Sequence, residues 1–394
     1  MFFASVQGTD YLPKIKLAVS NESVEVTPTG SVTELTVSDI KLVPDSAAAA
    51  LAVPGKEFLW KPSELASRTT GGADIYATHL TSDGSAAVIC ERVGGFGNPS
   101  GLRIAVIDIA SGKVIRVTDV FQYDAIYTQL VGDAALFAVA APSGRRGDEY
   151  CFVKINLVSG EAETSEKFQG TPDGAVVGNG KVYTLSSAEK TVSVYDLETF
   201  EKAAECKVKN PSAKGLGISP DGRVLAVFGE KNVELYNGKV NNKTLYLRRT
   251  FSVADGDFTR CAFADERGKT MVFFSPGKSA YVLMNDTLVP LPDMTCGEVF
   301  AANYKSGNFI LENRLREFSV YRFPKLTAVE KYAPRKMRPI SRNDNTALFF
   351  LPGKKAENLL LADHRGNLWK LEFKGKRGKK YPVLTVDDTG IRKR

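Results

Sequence analysis

Side chains able to act as metal ligands are few in this chain and widely separated. The two histidines, His79 and His364, stand far apart, whereas a histidine-rich metal centre needs several imidazoles on one ion. The five cysteines are also scattered and form no Cys-x-x-Cys pair: Cys90, Cys151, Cys206, Cys261 and Cys296. This spacing favours neither a zinc site nor a disulfide framework. We therefore predict no metal site, and we expect His79 and the cysteines on strands and His364 in a turn.

A nucleophile with a matching base is equally difficult to assign. No Gly-x-Ser-x-Gly motif occurs, and no serine or cysteine can be matched to a histidine from spacing alone. Adjacent carboxylates at Asp265-Glu266 and Asp387-Asp388 fall in turn-like or near-terminal segments, where solvation explains them. The sequence therefore predicts no catalytic residue and no cofactor.

The glycine-rich stretch 94–101 (Gly-Gly-Phe-Gly-Asn-Pro-Ser-Gly) superficially resembles a loop that cradles phosphate. A dinucleotide fingerprint must join a strand to a helix, and a P-loop must end in Gly-Lys-Ser/Thr. Neither condition holds here, which favours a loop between two strands. A second long loop, 142–149, falls about one repeat further along the chain, at the equivalent place between two strands.

These two enlarged loops predict a rim that binds a protein partner. Aromatic and arginine side chains in exposed loops are typical anchors of such interfaces. The alternative is that both loops are surface insertions without a binding role. The candidate partner-binding residues are Phe96, Asn98, Arg145, Arg146 and Asp148.

A strongly basic run occupies residues 374–380, where five of seven side chains are cationic. Residues 305–394 hold 22 Lys and Arg against 9 Asp and Glu, a net charge of +13, whereas the first 304 residues hold 30 against 36, a net charge of −6. Such a basic sector attracts nucleic acid, anionic lipid or acidic proteins. The alternative is a solvated outer strand and tail. The candidate polyanion-binding residues are Lys374, Lys376, Arg377, Lys379 and Lys380.

The elements that must position these groups are short strands that recur in phase. The first recurring signal is a tight turn between two apolar strands, built from residues that adopt the positive φ of hairpin turns. These turns lie at Asp45-Ser46, Asp83-Gly84, Gly132-Asp133, Asn179-Gly180, Asp221-Gly222, Arg267-Gly268, Ser306-Gly307 and Asp344-Asn345. A strand is expected after each turn, although 48–53, after the first, is poor in β-branched residues.

The second recurring signal is an alternating strand that ends at a polar residue. Its clear copies end at Asp108, Asn156, Asp196, Asn237, Asn285, Arg322 and Asp363, and a fainter copy ends at Lys61. These ends recur every 37 to 48 residues, and a period of about 43 residues is the size of one four-stranded propeller blade. A β-sandwich does not require two phased signals in eight copies. The sequence therefore predicts an all-β fold, a β-propeller of seven or eight four-stranded blades.

Two segments of the central repeats carry a family resemblance. Residues 191–199 (Thr-Val-Ser-Val-Tyr-Asp-Leu-Glu-Thr) and 217–226 (Gly-Ile-Ser-Pro-Asp-Gly-Arg-Val-Leu-Ala) resemble the repeat of YVTN/WD40-like propellers. That superfamily pairs a strand ending in Asp-x-x-Thr/Ser-Gly with a Ser-Pro-Asp-Gly turn, and 107–112 and 155–160 match the first half. The Gly-His and Trp-Asp pairs of WD40 proteins proper are absent. The resemblance implies the propeller fold and a scaffold role, and it supplies no catalytic residue.

The chain is expected to divide into three parts. Residues 1–32 form an N-terminal extension with a hairpin, which either closes the ring by pairing with the last blade or lies outside it. Residues 33–385 form a single propeller domain, and 386–394 form a basic tail. The start lacks a basic and then apolar signal pattern, and no apolar run approaches the roughly 18 residues needed to cross a bilayer. We expect a cytoplasmic protein without a transmembrane segment.

The function that these features favour is a non-catalytic scaffold that binds protein partners through loops on one propeller face. One alternative is a propeller enzyme, or a binder of a small ligand or metal, with a site in the central channel. The resemblance permits it, since related rings include lactonases and quinone-dependent oxidoreductases. The strands expected to line that channel include 76–80, 124–130, 215–219 and 338–341. A second alternative is weak binding of polyanions or nucleic acid through the basic C-terminal blades.

Overall fold

The structure is a computed structural model of the 394-residue chain. Its side chains are described only within the part of the chain up to Pro290. Its backbone is described for residues 15–19, 22–26, 42–44, 46–56, 58, 75–95, 98–109, 111, 113–121, 123–142, 149–241, 243–263, 267–275, 279–295, 299–303, 308–312, 318–322, 327–332, 338–342, 346–351, 358–363, 368–375 and 382–388.

The N-terminal part contains a small antiparallel sheet followed by a short helix. Strands β1 (Ile15–Val19) and β2 (Glu22–Val26) form a hairpin, and β2 also pairs with β3 (Leu42–Pro44). Helix α1 (Ala47–Leu51) follows. Within the described residues, no helix has the length and apolar character needed to cross a membrane.

Helix α1 lies where the sequence predicts a strand at 48–53, and that prediction is wrong. Alanine strongly favours the helix, and the side chain of Ser46 accepts a hydrogen bond from the Ala49 amide as an N-cap. Two further amides of the first turn are bound from outside the helix: Ala47 N donates to Asp83 Oδ2 at 2.8 Å, and Ala48 N donates to Ser85 Oγ at 2.9 Å. Two of the first amides of the helix therefore find their hydrogen-bond acceptors in the turn that contains Asp83 and Ser85.

Seven further antiparallel sheets follow one another in the described part of the chain after residue 74. In each of them, strands consecutive in sequence are neighbours in the sheet, apart from β12, which pairs with β10. Sheet 1 contains β4 (Ile75–Leu80), β5 (Ala86–Gly95), β6 (Asn98–Asp108) and β7 (Val114–Phe121). Sheet 2 contains β8 (Tyr123–Val131), β9 (Ala135–Pro142), β10 (Glu149–Asn156), β11 (Ala162–Thr164) and β12 (Phe168–Gln169). Sheet 3 contains β13 (Gly174–Gly178), β14 (Lys181–Ser186), β15 (Thr191–Asp196) and β16 (Lys202–Lys207).

The remaining four sheets continue the same up-and-down order. Sheet 4 contains β17 (Ala213–Ile218), β18 (Val224–Asn237) and β19 (Leu247–Asp257). Sheet 5 contains β20 (Arg260–Phe263), β21 (Met271–Phe274), β22 (Ser279–Met284) and β23 (Thr287–Thr295). Sheet 6 contains β24 (Val299–Asn303), β25 (Asn308–Glu312), β26 (Phe318–Arg322) and β27 (Thr327–Tyr332). Sheet 7 contains β28 (Arg338–Arg342), β29 (Thr346–Leu351), β30 (Asn358–Asp363), β31 (Leu368–Gly375) and β32 (Pro382–Asp388).

Strand β18 occupies two positions of sheet 4, so that this sheet also follows the four-strand pattern. Its first half pairs with β17 and its second half with β19. A straight strand of 14 residues would extend about 45 Å, yet Gly238 N donates to Arg223 O across its two ends at 2.9 Å. The strand therefore folds back on itself, and Lys231, with φ of 60°, lies at the bend.

The turns between first and second strands have the same hydrogen bonds in sheets 1 and 4. In sheet 1, Thr81 Oγ1 donates to Asp83 Oδ1 at 2.8 Å and accepts from Ala86 N at 3.0 Å. In sheet 4, Ser219 Oγ donates to Asp221 Oδ1 at 2.8 Å and accepts from Val224 N at 2.9 Å. The following glycines, Gly84 and Gly222, have positive φ. The turns predicted at Asp83-Gly84 and Asp221-Gly222 are therefore confirmed.

The polar residues predicted to end the third strands also have a common role. Asp196 Oδ1 accepts hydrogen bonds from Glu198 N and Thr199 N, at 2.9 and 3.0 Å. Asn156 Oδ1 accepts from the amides two and three positions further on at 2.8 and 3.0 Å. These Asx turns reverse the chain toward the fourth strand. Strands β6, β10, β15 and β18 end at the predicted residues.

Sheet 2 buries its two faces against different neighbours. Along β9, Leu136 and Ala138 belong to an apolar cluster shared with sheet 1, whereas Phe137 and Val139 belong to a cluster shared with sheet 3. This division follows from the alternation of side chains along a strand. Similar clusters join sheet 3 to sheet 4 and sheet 4 to sheet 5. The described core is therefore a series of apolar layers between successive sheets.

The first strands of successive sheets lie against one another. Strand β4 contacts β8, β8 contacts β13, β13 contacts β17, β17 contacts β20, β20 contacts β24, and β24 contacts β28. Strand β28, in the last sheet, also contacts β4 in the first. Neighbouring sheets therefore contact one another through their first strands as well as through the apolar clusters.

Candidate functional site

The predicted partner-binding rim falls mostly outside the described residues. Asn98 lies at the start of β6, directly opposite Gly95 of β5, so pairing in this hairpin extends to its tip. Phe96 follows Gly95 but lies outside the described residues, as do Arg145, Arg146 and Asp148. Both connections join second to third strands, which is the position that the repeat predicts. The prediction of a long loop at 94–101 is wrong, because β5 and β6 include 94–95 and 98–101 and leave only 96–97 between them.

The predicted polyanion-binding residues centre on one hairpin of sheet 7. Lys374 lies on β31 opposite Val383 of β32, and the last pair of this ladder is Gly375 with Pro382. The other four cationic residues therefore belong to the six-residue connection 376–381, outside the described residues: Lys376, Arg377, Lys379 and Lys380. The ladder places both ends of this connection at neighbouring positions.

A buried polar contact joins the first strands of sheets 1 and 2. His79 Nε2 on β4 lies 3.0 Å from Thr128 Oγ1 on β8, and both side chains are buried. The Thr128 side chain also hydrogen-bonds to the thiol of Cys90 on β5. Burial lowers the pKa of His79 to about 4 and raises the pKa of Cys90 to about 12, so both groups are neutral near pH 7.

The directions of these pKa shifts argue against a catalytic cysteine–histidine pair. Where a histidine activates a cysteine, the resulting ion pair lowers the pKa of the thiol. Here burial raises the thiol pKa and lowers the imidazole pKa, so each group favours its uncharged form. We conclude that His79, Thr128 and Cys90 form a neutral contact between sheets. The expectation that Cys90, Cys151, Cys206 and Cys261 are thiols on strands is confirmed, although only the first two are fully buried.

Gln129 forms the corresponding link between sheets 2 and 3. Its amide nitrogen donates to Val177 O, and its Oε1 accepts from Val177 N, both at 2.8 Å. The Tyr127 hydroxyl donates to the same Oε1 at 2.5 Å. The side-chain amide thus pairs with both backbone groups of one residue on β13, as another strand would. This contact fixes the alignment of β13 beside β8.

Glycine permits the close approach of the first strands in sheets 3, 4 and 5. A Cβ atom built on Gly217 of β17 would lie 2.1 Å from Cys261 Sγ on β20. A Cβ built on Gly178 of β13 would lie 2.9 Å from the Ile218 side chain on β17. Because real Cβ atoms do not come this close to neighbouring atoms, larger side chains would push these strands apart.

Sequence reasoning found the strands that contain these contacts but missed the contacts themselves. The predicted channel strands 76–80, 124–130 and 215–219 include His79, Thr128, Gln129 and Gly217. Each of these residues contacts a partner on another sheet, and no local motif specifies such a partner. The mixture of polar residues and glycine in the first strands was the sequence feature that could have indicated these contacts.

Three polar side chains of the first strands, His79, Thr128 and Gln129, form contacts between sheets. Within the described part of the chain, no three or more His, Cys, Asp or Glu side chains converge as metal ligands. No protein-family model matches this chain, and no curated protein sequence matches it.

Proposed function

We propose that the seven sheets are the blades of a β-propeller and that the protein is a non-catalytic scaffold for protein partners. The order of contacts among first strands, with β28 contacting β4, supports the ring arrangement. The burial of opposite faces of one sheet against different neighbours supports it as well. The first of the eight predicted turns, Asp45-Ser46, is followed by α1 instead of a second strand, which favours seven blades.

The observation that carries the scaffold proposal is the use of polar first-strand side chains as links between sheets. His79 and Gln129 each bind a residue of a different sheet. Such links make a rigid frame, and binding residues on rigid frames are concentrated in the connecting loops. The loops that join β5 to β6 and β9 to β10 are the proposed partner-binding rim. The buried thiols of Cys90 and Cys151 support a cytoplasmic setting.

We predict that substitutions at the rim remove partner capture without unfolding the protein. The variant combines Phe96→Ala, Arg145→Glu and Arg146→Glu. Substitution is preferable to deletion because Val93 pairs with Gly101 and Gly95 with Asn98 in the same hairpin. Quantitative affinity capture should show about a tenfold or greater loss of specific partners, as expected when aromatic and arginine anchors are removed.

A matched control makes the same types of change at the opposite end of the sheets. It combines Val158→Ala, Lys113→Glu and Arg267→Glu, which lie in first-to-second or third-to-fourth strand connections. This control should retain every partner. Equal capture by the parent protein and a folded rim variant would exclude the rim as the binding surface.

We propose polyanion binding by sheet 7 as a second function, and one observation favours it. The register of β31 and β32 confines four cationic side chains to the six-residue connection between two paired strands. Charges held this close together act on the same segment of a polyanion. We expect sequence-independent binding, since phosphate contacts carry no base information.

The predicted effect of neutralising this connection is a weaker dependence of binding on salt. Replacing Lys374, Lys376, Arg377, Lys379 and Lys380 by Gln should reduce the slope of log K against log salt by about 0.9 for each phosphate that the variant no longer neutralises. The measurement is a salt titration of binding to a short DNA duplex and, in parallel, to an acidic peptide. A control variant carries five Lys→Gln changes elsewhere, at Lys113, Lys190, Lys209, Lys231 and Lys269. If the parent protein binds neither ligand in a salt-dependent manner, the basic run is only a solvated surface.

A further inference from the structure

The connection between the third and fourth strands of sheet 4 is longer than those of its neighbours. It comprises residues 238–246, whereas the equivalent segments are 197–201 in sheet 3 and 285–286 in sheet 5. This connection is attached to the outer strand of sheet 3. Glu205 N donates to Lys243 O at 3.3 Å, and Cys206 Sγ donates to Leu245 O at 3.4 Å. Leu245, within the connection, is buried among residues of sheets 3 and 4, so residues 243–245 are held against sheet 3.

This connection and the start of β19 carry a concentrated positive charge. Residues 238–249 contain four cationic side chains and no carboxylate. The four are exposed and lie within one short segment: Lys239, Lys243, Arg248 and Arg249. They are far in sequence from the basic run of sheet 7. We call residues 238–241 and 243–249 the sheet 4 basic segment.

Exposed apolar side chains accompany this charge. Tyr246 is 47% exposed within the sheet 4 basic segment, and Met284 at the end of β22 is 42% exposed. Arg249 lies 3.0 Å from Asp286 in the turn just after Met284. This ion pair joins the start of β19 to the turn of the β22–β23 hairpin. Tyr246 and Met284 therefore lie at the same end of two neighbouring sheets.

We propose that the sheet 4 basic segment, together with Met284, docks an acidic peptide segment that carries aromatic or aliphatic side chains. Tyrosine, methionine and arginine are the residue types enriched at protein–protein interfaces. Tyr246 and Met284 supply apolar contacts, and the cations attract the carboxylates of the partner. Tyr246 is the one aromatic side chain of this surface and Met284 does not stack on bases, which favours a protein partner over a single-stranded nucleic acid. This surface is distinct from the rim, so the two proposals stand independently.

The test is a selection of random dodecamer peptides displayed on phage against the full-length protein. We expect the enriched peptides to combine Asp or Glu with Phe, Tyr, Trp or Leu. The variant Tyr246→Ser/Met284→Ser should bind synthetic copies about tenfold or more weakly, the loss expected for interface anchors. The variant Lys243→Gln/Arg248→Gln should reduce the salt dependence of binding. Thermal unfolding should be unchanged in both, because exposed positions contribute little to stability.

A matched control removes two equally exposed apolar side chains elsewhere, in the variant Ile126→Ser/Val158→Ser. It should bind the selected peptides as the parent does, and so should the rim variant. Enrichment only of peptides without acidic residues, or only of peptides whose binding survives Tyr246→Ser/Met284→Ser, would overturn the proposal. Enrichment of no peptide would also overturn it. Binding of oligo(dT) that disappears in Tyr246→Ser would assign the surface to single-stranded nucleic acid instead.

Discussion

Gly217→Ala is expected to destabilise the protein by about 1–3 kcal/mol, the range found when atoms are forced into a well-packed core. The added methyl group would lie 2.1 Å from Cys261 Sγ and 3.4 Å from the Phe263 ring. Relief requires β17 and β20 to separate, or the Cys261 side chain to leave its position. Both changes disturb packing between sheets 4 and 5. Urea unfolding, followed by circular dichroism, measures the loss of free energy.

Two further variants separate this clash from a general effect of removing glycine. Gly174 of β13 also lies in a first strand, but its nearest neighbour to an added Cβ is 3.7 Å away. Gly174→Ala should therefore leave stability unchanged or slightly raised, since alanine restricts the unfolded chain. Adding Cys261→Ala to Gly217→Ala should restore part of the lost stability. Equal destabilisation by the Gly174 and Gly217 substitutions would contradict the packing argument.

Stability is expected to fall as the pH decreases from about 6.5 to 4, because His79 is buried in its neutral form. Its pKa in the folded protein is about 4, below the ordinary value of 6.5. Between these values the unfolded chain binds a proton at His79 and the folded protein does not, so acid favours unfolding. A difference of this size corresponds to a loss of about 3 kcal/mol, as an upper limit. The measurement is the free energy of unfolding at a series of pH values.

The variant His79→Gln tests the assignment. Glutamine does not titrate, and it keeps a polar group able to hydrogen-bond to Thr128. The slope of stability against pH between 6.5 and 4 should therefore flatten in this variant, whatever its absolute stability. An unchanged slope would show that another group is responsible.

A second acid-sensitive window lies below that of His79. A hydrogen bond from Lys181, together with the amides of Thr199 and Glu198, lowers the pKa of Asp196 to about 2. A carboxylate with a depressed pKa stabilises the folded protein above its ordinary pKa, and this stability is lost as the pH falls toward the folded value. Asp196→Asn should therefore reduce the pH dependence only below about pH 4 and leave the upper window unchanged.

The turns and strand ends could be predicted from sequence because their interactions are local. Thr81, Asp83 and Ala86 form one hydrogen-bonded turn within six residues. Asp196 binds amides two and three positions away. Side chains of this kind determine a reversal of the chain without reference to the rest of the molecule. The repeat of these local units was therefore visible in the residues alone.

Contacts between sheets could be established only by the tertiary structure. Gln129 binds Val177, Gly217 faces Cys261, and His79 contacts Thr128. In each pair, the partner lies about one repeat away in sequence and on another sheet. Alternation places a side chain on one face of a strand, but it does not specify which residue of the neighbouring sheet it meets.

The helix at 47–51 illustrates the same division between local and tertiary information. In the other repeats, a turn signal followed by apolar residues marks the second strand. Asp45-Ser46 and the apolar residues after it therefore predict a second strand here. The amides of Ala47 and Ala48 instead bind Asp83 and Ser85 of sheet 1. Sequence by itself determined the repeated strands, their turns and the charge distribution of this protein, because those depend on near neighbours. The tertiary structure decided which segments leave the repeat and which side chains join the sheets, because those depend on partners distant in the chain.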